Sequence, residues 1–257
     1  MNNDRPAVLR SRDNALWKDL RRLAQDNGAY RKQGRVWLEG DHLCRAALAR
    51  GIRPALGLFC ETYWAETRIE WSQAADKTVV VADALFAGLS ALESPARMGF
   101  VITLPAAPAL VVDAPTVILD RLQDAGNVGS VLRSAAAFGF TQVIALKGTA
   151  GLWHPKVVRS AMGAHFALRL VEAASSADLD TLDVPLLVTS SHAGEALHRT
   201  VLPWPCAWVL GHEGQGVSVS LQARADRVVR IGQPGGEESL NVAAAAAICL
   251  HASAAAR

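Results

Sequence analysis

Cysteine is scarce in this sequence, and none of it is arranged for chemistry. Cys44, Cys60, Cys206 and Cys249 form no CxxC pair and no metal-ligand spacing. The pattern excludes a zinc finger or disulfide framework, and the four read as small buried hydrophobes of a reducing compartment. No metal site is expected. Long apolar runs are missing too. The most apolar stretch, Val242 to Leu250, is too short and too rich in Ala to span a bilayer. The opening "MNNDRPAVLRSRDNALW" lacks the apolar core of a secretion signal. The expected location is the cytoplasm, with no membrane partner. Charged residues make up only 19% of the chain against 51% hydrophobic. That balance argues against disorder and leaves apolar mass for one large or two modest cores. Neither GxxxxGK[ST] nor GxSxG occurs.

What charge there is, is uneven. The net charge is +2, yet residues 1–60 hold twelve Lys and Arg against six Asp and Glu. A basic N-terminal block suits a polyanion such as nucleic acid, although taken alone a solvated helix face is the simpler account of it. Along the first half, "NALWKDLRRLAQDN" (14–27) has Leu16, Leu20 and Leu23 at helical spacing with Gly28 as a stop. "RVWLEG" reads as a strand, "DHLCRAALARG" as a helix capped by Asp41 and ended by Gly51, "KTVVVAD" and "MGFVITL" as strands, and "ALFAGLSAL" as a helix. The Pro- and Ala-rich stretch 105–115 reads as a linker. It predicts two domains, 1–104 and 116–257.

The second half alternates regularly. "TVILD", "QVIAL", "PLLVTS", "CAWVL" and "DRVVRI" are apolar strands separated by helical segments, among them 128–138, one opening at Pro155, and one opening at Ser239. Strands without polar alternation predict an α/β domain with a parallel sheet covered on both faces. Ligands of such sheets bind at loops past the carboxyl ends of strands. Three loops stand there, at 121–129, 211–217 and 232–239. In the first, Gly126 and Gly129 flank Asn127, which reads most simply as an N-cap, and Arg133 follows six residues later. The pattern is not a dinucleotide fingerprint, because half of GxGxxG is missing and no acid stands some twenty residues on. In the second, Gly211, Gly214 and Gly216 surround Glu213 and let a backbone approach something closely. On that reading Gly211→Val should weaken binding there without unfolding the chain. His212 is a lone histidine with no assigned role. In the third, Ser239 can cap the last helix, with Asn241 in its first turn.

Taken together, the order and wording of the loops resemble the three motifs of the SpoU-type RNA 2′-O-ribose methyltransferases of the SPOUT superfamily. The motifs are "LDRLQDAGNVGSVLRSAAAFG", "VLGHEGQG" and "IGQPGGEESLNVAAAAA", with "HPKVVRSAMGAHFALRL" between the first two. The likeness covers residues 116–257. "SRDNALWKDLRRL", "RVWLEGDHLCRAAL" and "ALFAGLSALESPARMGFVI" are similar to the substrate-binding domain attached to many of these enzymes, departing from it at Arg97-Met98-Gly99, where Gln-Gly is usual.

The resemblance implies a C-terminal trefoil knot, against the general rule that chains do not thread loops. It implies S-adenosylmethionine as cofactor, at positions matching Gly211, Ile231 and Leu240, with Leu210 and Thr189 beside them. It implies RNA as substrate, ribosomal RNA rather than transfer RNA, and not DNA; it also implies a homodimer. Arg133 matches the activating residue, Asn127 and Glu213 match positioning groups, and Ser239 and Asn241 match loop-fixing and substrate-contacting groups. Arginine is a poor base, since its guanidinium keeps its proton, so Arg133 is expected to orient a phosphate and stabilise oxyanion charge. A non-catalytic RNA-binding protein on the same fold, or a base-directed RNA methyltransferase, are the competing readings. The intact set of polar residues and the Asn127–Arg133 pair argue against them.

Overall fold

The computed structural model describes residues 6, 8–191, 193–235 and 239–256. The chain divides into two compact units. One comprises residues 1–106 together with 153–166; the other comprises 107–152 and 167–257.

The first unit is built on a five-stranded sheet of order β1-β4-β3-β5-β2: β1 (Val8–Leu9), β2 (Arg35–Glu39), β3 (Leu56–Cys60), β4 (Thr78–Val81) and β5 (Met98–Thr103). β5 runs antiparallel to both β2 and β3, and the remaining pairs are parallel. Helices α1 (Ala15–Gln25), α2 (Ala29–Gln33), α3 (Asp41–Ala49), α4 (Glu61–Trp71) and α5 (Asp83–Ala87) complete it. The Asn14 side chain caps α1, and Trp17, Leu20 and Leu23 form its buried face, with the Trp17 indole donating to the Leu85 carbonyl at 3.1 Å. Asp41 is the first residue of α3 rather than its cap; Gly40, at φ 95°, holds the cap position without a side-chain bond. The α5 helix is shorter than "ALFAGLSAL" suggested, while β3 and α4 occupy a segment with no clear period in its sequence.

The second unit is a seven-stranded sheet of order β10-β12-β9-β11-β6-β7-β8, and every pairing in it is parallel. Its strands are β6 (Thr116–Asp120), β7 (Gln142–Leu146), β8 (Arg169–Ala174), β9 (Leu186–Thr189), β10 (Glu195–Ala196), β11 (Ala207–Gly211) and β12 (Arg227–Arg230). Strands β6, β7 and β11 are buried along their whole length, as continuous apolar runs require between two helical layers. Ile118, Ile144, Val188 and Val209 pack on one face with Val217 and Leu221, the latter from the short helix α8 (Val219–Gln222). Helices α6 (Ala125–Ala137) and α9 (Val242–Ala255) pack against each other, and Ser253 of α9 accepts a 2.8 Å bond from the buried Trp208 indole of β11. A remaining helix, α7 (Pro155–Ser160), starts at Pro155 as expected but packs against β2 in the first unit. The Pro- and Ala-rich stretch is pinned rather than loose at its end: Val111 exchanges two bonds with the Gln142 side chain, and Asp183 N–H donates to the Val112 carbonyl.

Candidate active site

The chain order β6-β7-β8 runs one way across the second sheet, and β9, β11 and β12 lie on the other side of β6. The carboxyl ends of β9, β11 and β12 therefore open beside the point where the order reverses, the usual place for a ligand in such sheets.

β6 ends in Asp120, which is 3% exposed. A buried carboxylate must be satisfied. Its Oδ2 accepts from the Ser218 backbone N–H at 2.7 Å, and its Oδ1 from Arg121 Nε at 3.0 Å. Arg121 takes a left-handed backbone, φ 62°, which costs free energy in a non-glycine residue. That turn aims the rest of its guanidinium at Gln215 Oε1, 3.0 Å away. One side chain thus ties the first loop to the second. Sequence reading assigns Arg121 and Asp120 no role; a charged pair directly after a buried strand was the available signal.

The helix α6 begins three residues earlier than expected. Its cap is Asp124, whose carboxylate accepts from the Asn127 backbone N–H at 2.8 Å. Asn127 is thereby freed from capping, and Gly126 and Gly129 lie inside the helix. The Asn127 amide donates to Glu213 Oε1 at 3.3 Å, and its oxygen accepts from Asn241 Nδ2 at 3.0 Å. Glu213 also accepts from the backbone N–H groups of Gln123 (3.2 Å) and Asp124 (3.1 Å). Desolvation opposes ionisation of Glu213, but the backbone donors and the Asn127 amide outweigh it, and its carboxyl lies below the ordinary value. At the third loop, Asn241 and not Ser239 is the cap of α9. Its Oδ1 accepts from Ala243 and Ala244 N–H at 2.9 and 3.3 Å. Asn is as good a cap as Ser, and Ser239 stands two positions outside, exposed. Residues 236–238 of this loop lie outside the described residues. The chain Glu213–Asn127–Asn241 joins all three loops.

Beside this chain lies a cavity of about 550 Å³. Thr189, Gly211, Ile231 and Leu240 line it, and so do Glu213, Ser239 and Asn241. Leu210 does not; its side chain is fully buried within β11. Asn127 and Arg133 are also outside the lining. Within the chain itself there is a reason for Gly211 to lack a side chain. A Cβ there would stand 2.1 Å from Gly216 C and Val217 N. What approaches Gly211 is the protein's own loop, so a Val there would displace the loop as well as affect a ligand, and intact stability is no longer the expectation. His212 also acquires a role: its Nδ1 accepts from Gly214 and Gln215 N–H at 3.0 and 3.2 Å, and its carbonyl accepts from Gly216 N–H at 2.8 Å. It fixes the curl of the second loop.

Arg133 is exposed on α6 and has no hydrogen-bond or ion-pair partner among the described residues. Val131, Leu132 and Ala135 around it are fully buried, so they anchor the helix while the guanidinium faces outward. Six residues beyond Asn127, it sits roughly 120° around the helix and about 9 Å further along. Among the described residues no cluster of His, Cys, Asp or Glu could hold a metal ion, and no helix is long and apolar enough to cross a membrane.

Comparison with known proteins agrees with this architecture. Residues 114–251 match the SpoU rRNA Methylase family. An uncharacterized tRNA/rRNA methyltransferase of Synechocystis sp. is 30% identical over 256 residues, spanning 95% of this chain and 92% of that protein. A 23S rRNA (guanosine(2553)-2′-O)-methyltransferase of Bacillus subtilis is 29% identical over 83% of this chain and 86% of its own length. The crystal structure of an RNA 2′-O ribose methyltransferase superposes with a TM-score of 0.83 and 28% identity, covering 97% of this chain and 99% of that one. An α/β fold on a parallel sheet, three loops joined at its carboxyl edge and a match over more than half its length place this chain in the SpoU rRNA methylase family.

Proposed function

We propose that this protein transfers a methyl group from S-adenosylmethionine to a ribose 2′-hydroxyl of ribosomal RNA. The observation that carries the reading is the Glu213–Asn127–Asn241 chain, which joins the three loops beside one cavity. The cavity's volume falls within the roughly 300–1,000 Å³ of small-molecule sites. Its glycine-rich wall and the backbone groups at Gly211, Ile231 and Leu240 suit a ligand held mainly through the main chain. When bound, S-adenosylmethionine supplies an electrophilic sulfonium methyl. The ribose oxygen would form the new O–C bond as the methyl's bond to sulfur breaks and S-adenosylhomocysteine departs, and its hydroxyl proton would pass to solvent, so negative charge develops on that oxygen as the proton leaves.

Arg133 orients the neighbouring phosphate through its planar fork and stabilises the developing oxyanion. Asn127 and Glu213 position the first loop against the second; Asn241 fixes the third, and Ser239 faces the substrate. Arg133 points away from Asn127 on its own helix, which supports a homodimer whose partner subunit supplies the cavity that it serves. The threading of α9 through the loops as a trefoil knot is part of the same proposal, supported by the likeness to solved SpoU structures. The first unit contributes RNA affinity: Arg21, Arg22, Arg31 and Lys32 are charged residues on α1 and α2, and Arg21, Arg22 and Lys32 offer their side chains to solvent. The ribosomal substrate is supported by the named activity of the Bacillus relative, and the cytoplasm is the matching location.

The test is incorporation of a radiolabelled methyl group into RNA from cells lacking the gene, followed by nuclease digestion and mass analysis of nucleosides. A 2′-O-methyl nucleoside in the ribosomal fraction is the expected product. Methyl groups on the base, or none, would reject the reading.

A further inference from the structure

Gln233 lies on the loop between β12 and α9, and its side-chain oxygen is out of place. Oε1 is buried and has no hydrogen-bond partner among the described residues. Among the described residues, few buried side-chain polar atoms share that condition, and Gln233 is the one among them that lines the 550 Å³ cavity. A buried carbonyl-type acceptor left unpaired costs free energy, and a native chain retains one where something donates to it. The surroundings restrict the donor. Gln233 and Ile231 line both the cavity and an adjoining groove of about 750 Å³, where Leu197, Pro234, Ile248 and Ala252 supply an apolar wall. An ammonium group against that wall would be desolvated beside a neutral amide and share the groove with Arg230 and His198, and no carboxylate stands among the described lining residues to compensate it. A flat heteroaromatic ring with an exocyclic amine fits both demands: the ring lies on the apolar side chains and the amine donates to Oε1.

Resting on the methyl-donor reading of the cavity, we propose that Gln233 reads the exocyclic amine of the donor's adenine, as a specificity-determining residue. The chain thereby selects an adenosine-based methyl donor with a side chain, not with backbone alone.

Calorimetry on the full-length protein tests this with three ligands. They are S-adenosylhomocysteine, its inosine counterpart, in which the amine is replaced by oxygen, and 5′-methylthioadenosine, which lacks the amino-acid tail. The wild-type protein should prefer the adenosine form over the inosine form by about tenfold, the worth of one good hydrogen bond. Gln233→Met, which keeps length but removes the acceptor, should bind S-adenosylhomocysteine and 5′-methylthioadenosine each about tenfold more weakly and lose most of that preference. The preference is a ratio within one variant, so a general weakening of the fold does not mimic it. A Gln233→Met protein that keeps the wild-type preference overturns the proposal. So does a loss confined to S-adenosylhomocysteine, which would assign the oxygen to the ammonium. Failure of the wild-type protein to bind any of the three would instead reject the methyl-donor reading beneath it.

Discussion

Replacing Gly211 by Ala adds one methyl group at the wall of the cavity, and the structure sets the cost. The new Cβ would lie 2.1 Å from Gly216 C and Val217 N and 2.5 Å from Gly216 O. Carbon contacts are comfortable at about 3.5 Å or more, so the facing loop must retreat by roughly 1.4 Å. Two of the bonds that hold the facing segment are Gly216 N–H to the His212 carbonyl at 2.8 Å and Ser218 N–H to the buried Asp120 carboxylate at 2.7 Å. Overpacking of this kind costs about 1–3 kcal/mol. Loss of a hydrogen bond to a charged group costs about 1.5–3 kcal/mol more. The sum is about 2.5–6 kcal/mol, or roughly 5–24 °C of melting temperature for a domain this size. The neighbouring glycines are internal controls. An Ala at Gly214 meets only the His212 ring at 3.8 Å and should stay within about 0.5 kcal/mol of wild type. An Ala at Gly216 meets nothing within 4 Å but must adopt φ 68°, costing about 1–2 kcal/mol. Thermal melting of the three variants should rank them 211, then 216, then 214, in order of damage. A Gly211→Ala protein that melts within about 2 °C of wild type would refute the close-approach argument.

Arg133→Ala should lower methyl transfer at least about a hundredfold, as loss of an oxyanion-stabilising donor does, while melting temperature and cofactor affinity stay unchanged because the side chain is exposed and unpaired; Arg133→Lys should rescue poorly, and near-wild-type turnover by Arg133→Ala would sink its assignment. Glu213→Gln tests the relay through pH. The folded carboxyl lies below its ordinary value of 4.5, so its ionised form stabilises the native state above that value and the contribution disappears as pH falls through the lowered one. The stability gap between wild type and Glu213→Gln should therefore be widest near neutrality and close in acid; a gap that does not depend on pH would assign the effect to packing. Because residues 153–166 belong to the first compact unit, removing the first hundred residues would strip the buried Pro155, Val157 and Val158 of their partners. Substituting Arg21, Arg22 and Lys32 together in the full chain is the cleaner test of RNA affinity. Binding should weaken, and the slope of log affinity against log salt should fall by about 0.7 for each lost single-strand phosphate contact; an unchanged slope would give these residues another job.

The parallel sheet of the second unit was legible because its strands are buried on both faces and carry no polar alternation, as in "TVILD" and "CAWVL". Boundaries were less so. Asp124 and Asn127 compete for the start of α6 in sequence, and local composition alone cannot rank an Asp cap against an Asn cap three residues on, since both are good. The glycines on either side of Asn127 favoured the wrong one, because Gly126 and Gly129 read as a turn and lie inside the helix. The same competition moved the α9 cap from Ser239 to Asn241. In the first unit, β3 and α4 were missed for a different reason. α4 buries Trp71 but little else along its length, so it lacks the apolar stripe on which helix recognition from sequence depends.

The site divides along the same line. Residues whose role is local, such as the glycines after β11, announced themselves by composition, although the partner of Gly211 turned out to be the chain itself. Residues whose role is to join distant segments did not. Glu213 reaches back ninety residues to Gln123, Arg121 reaches forward to Gln215, and Asn241 bonds Asn127 across 114 positions. No periodicity records such contacts; only the fold, by bringing the carboxyl edges of β6, β11 and β12 together, makes them possible. Arg133 is the instructive exception. Its sequence position aligned it with a motif, yet within one chain it stands apart from the cavity that the motif surrounds. The helix is anchored by three fully buried neighbours, so it cannot rotate to carry Arg133 inward without unseating the core. In the proposed homodimer, a second subunit would bring its cavity to Arg133. Mixing Arg133→Ala with a cavity-defective variant should accordingly restore methyl transfer in heterodimers. Two inactive parents that exchange subunits, as labelled chains would reveal, and still give no activity would rule the shared site out.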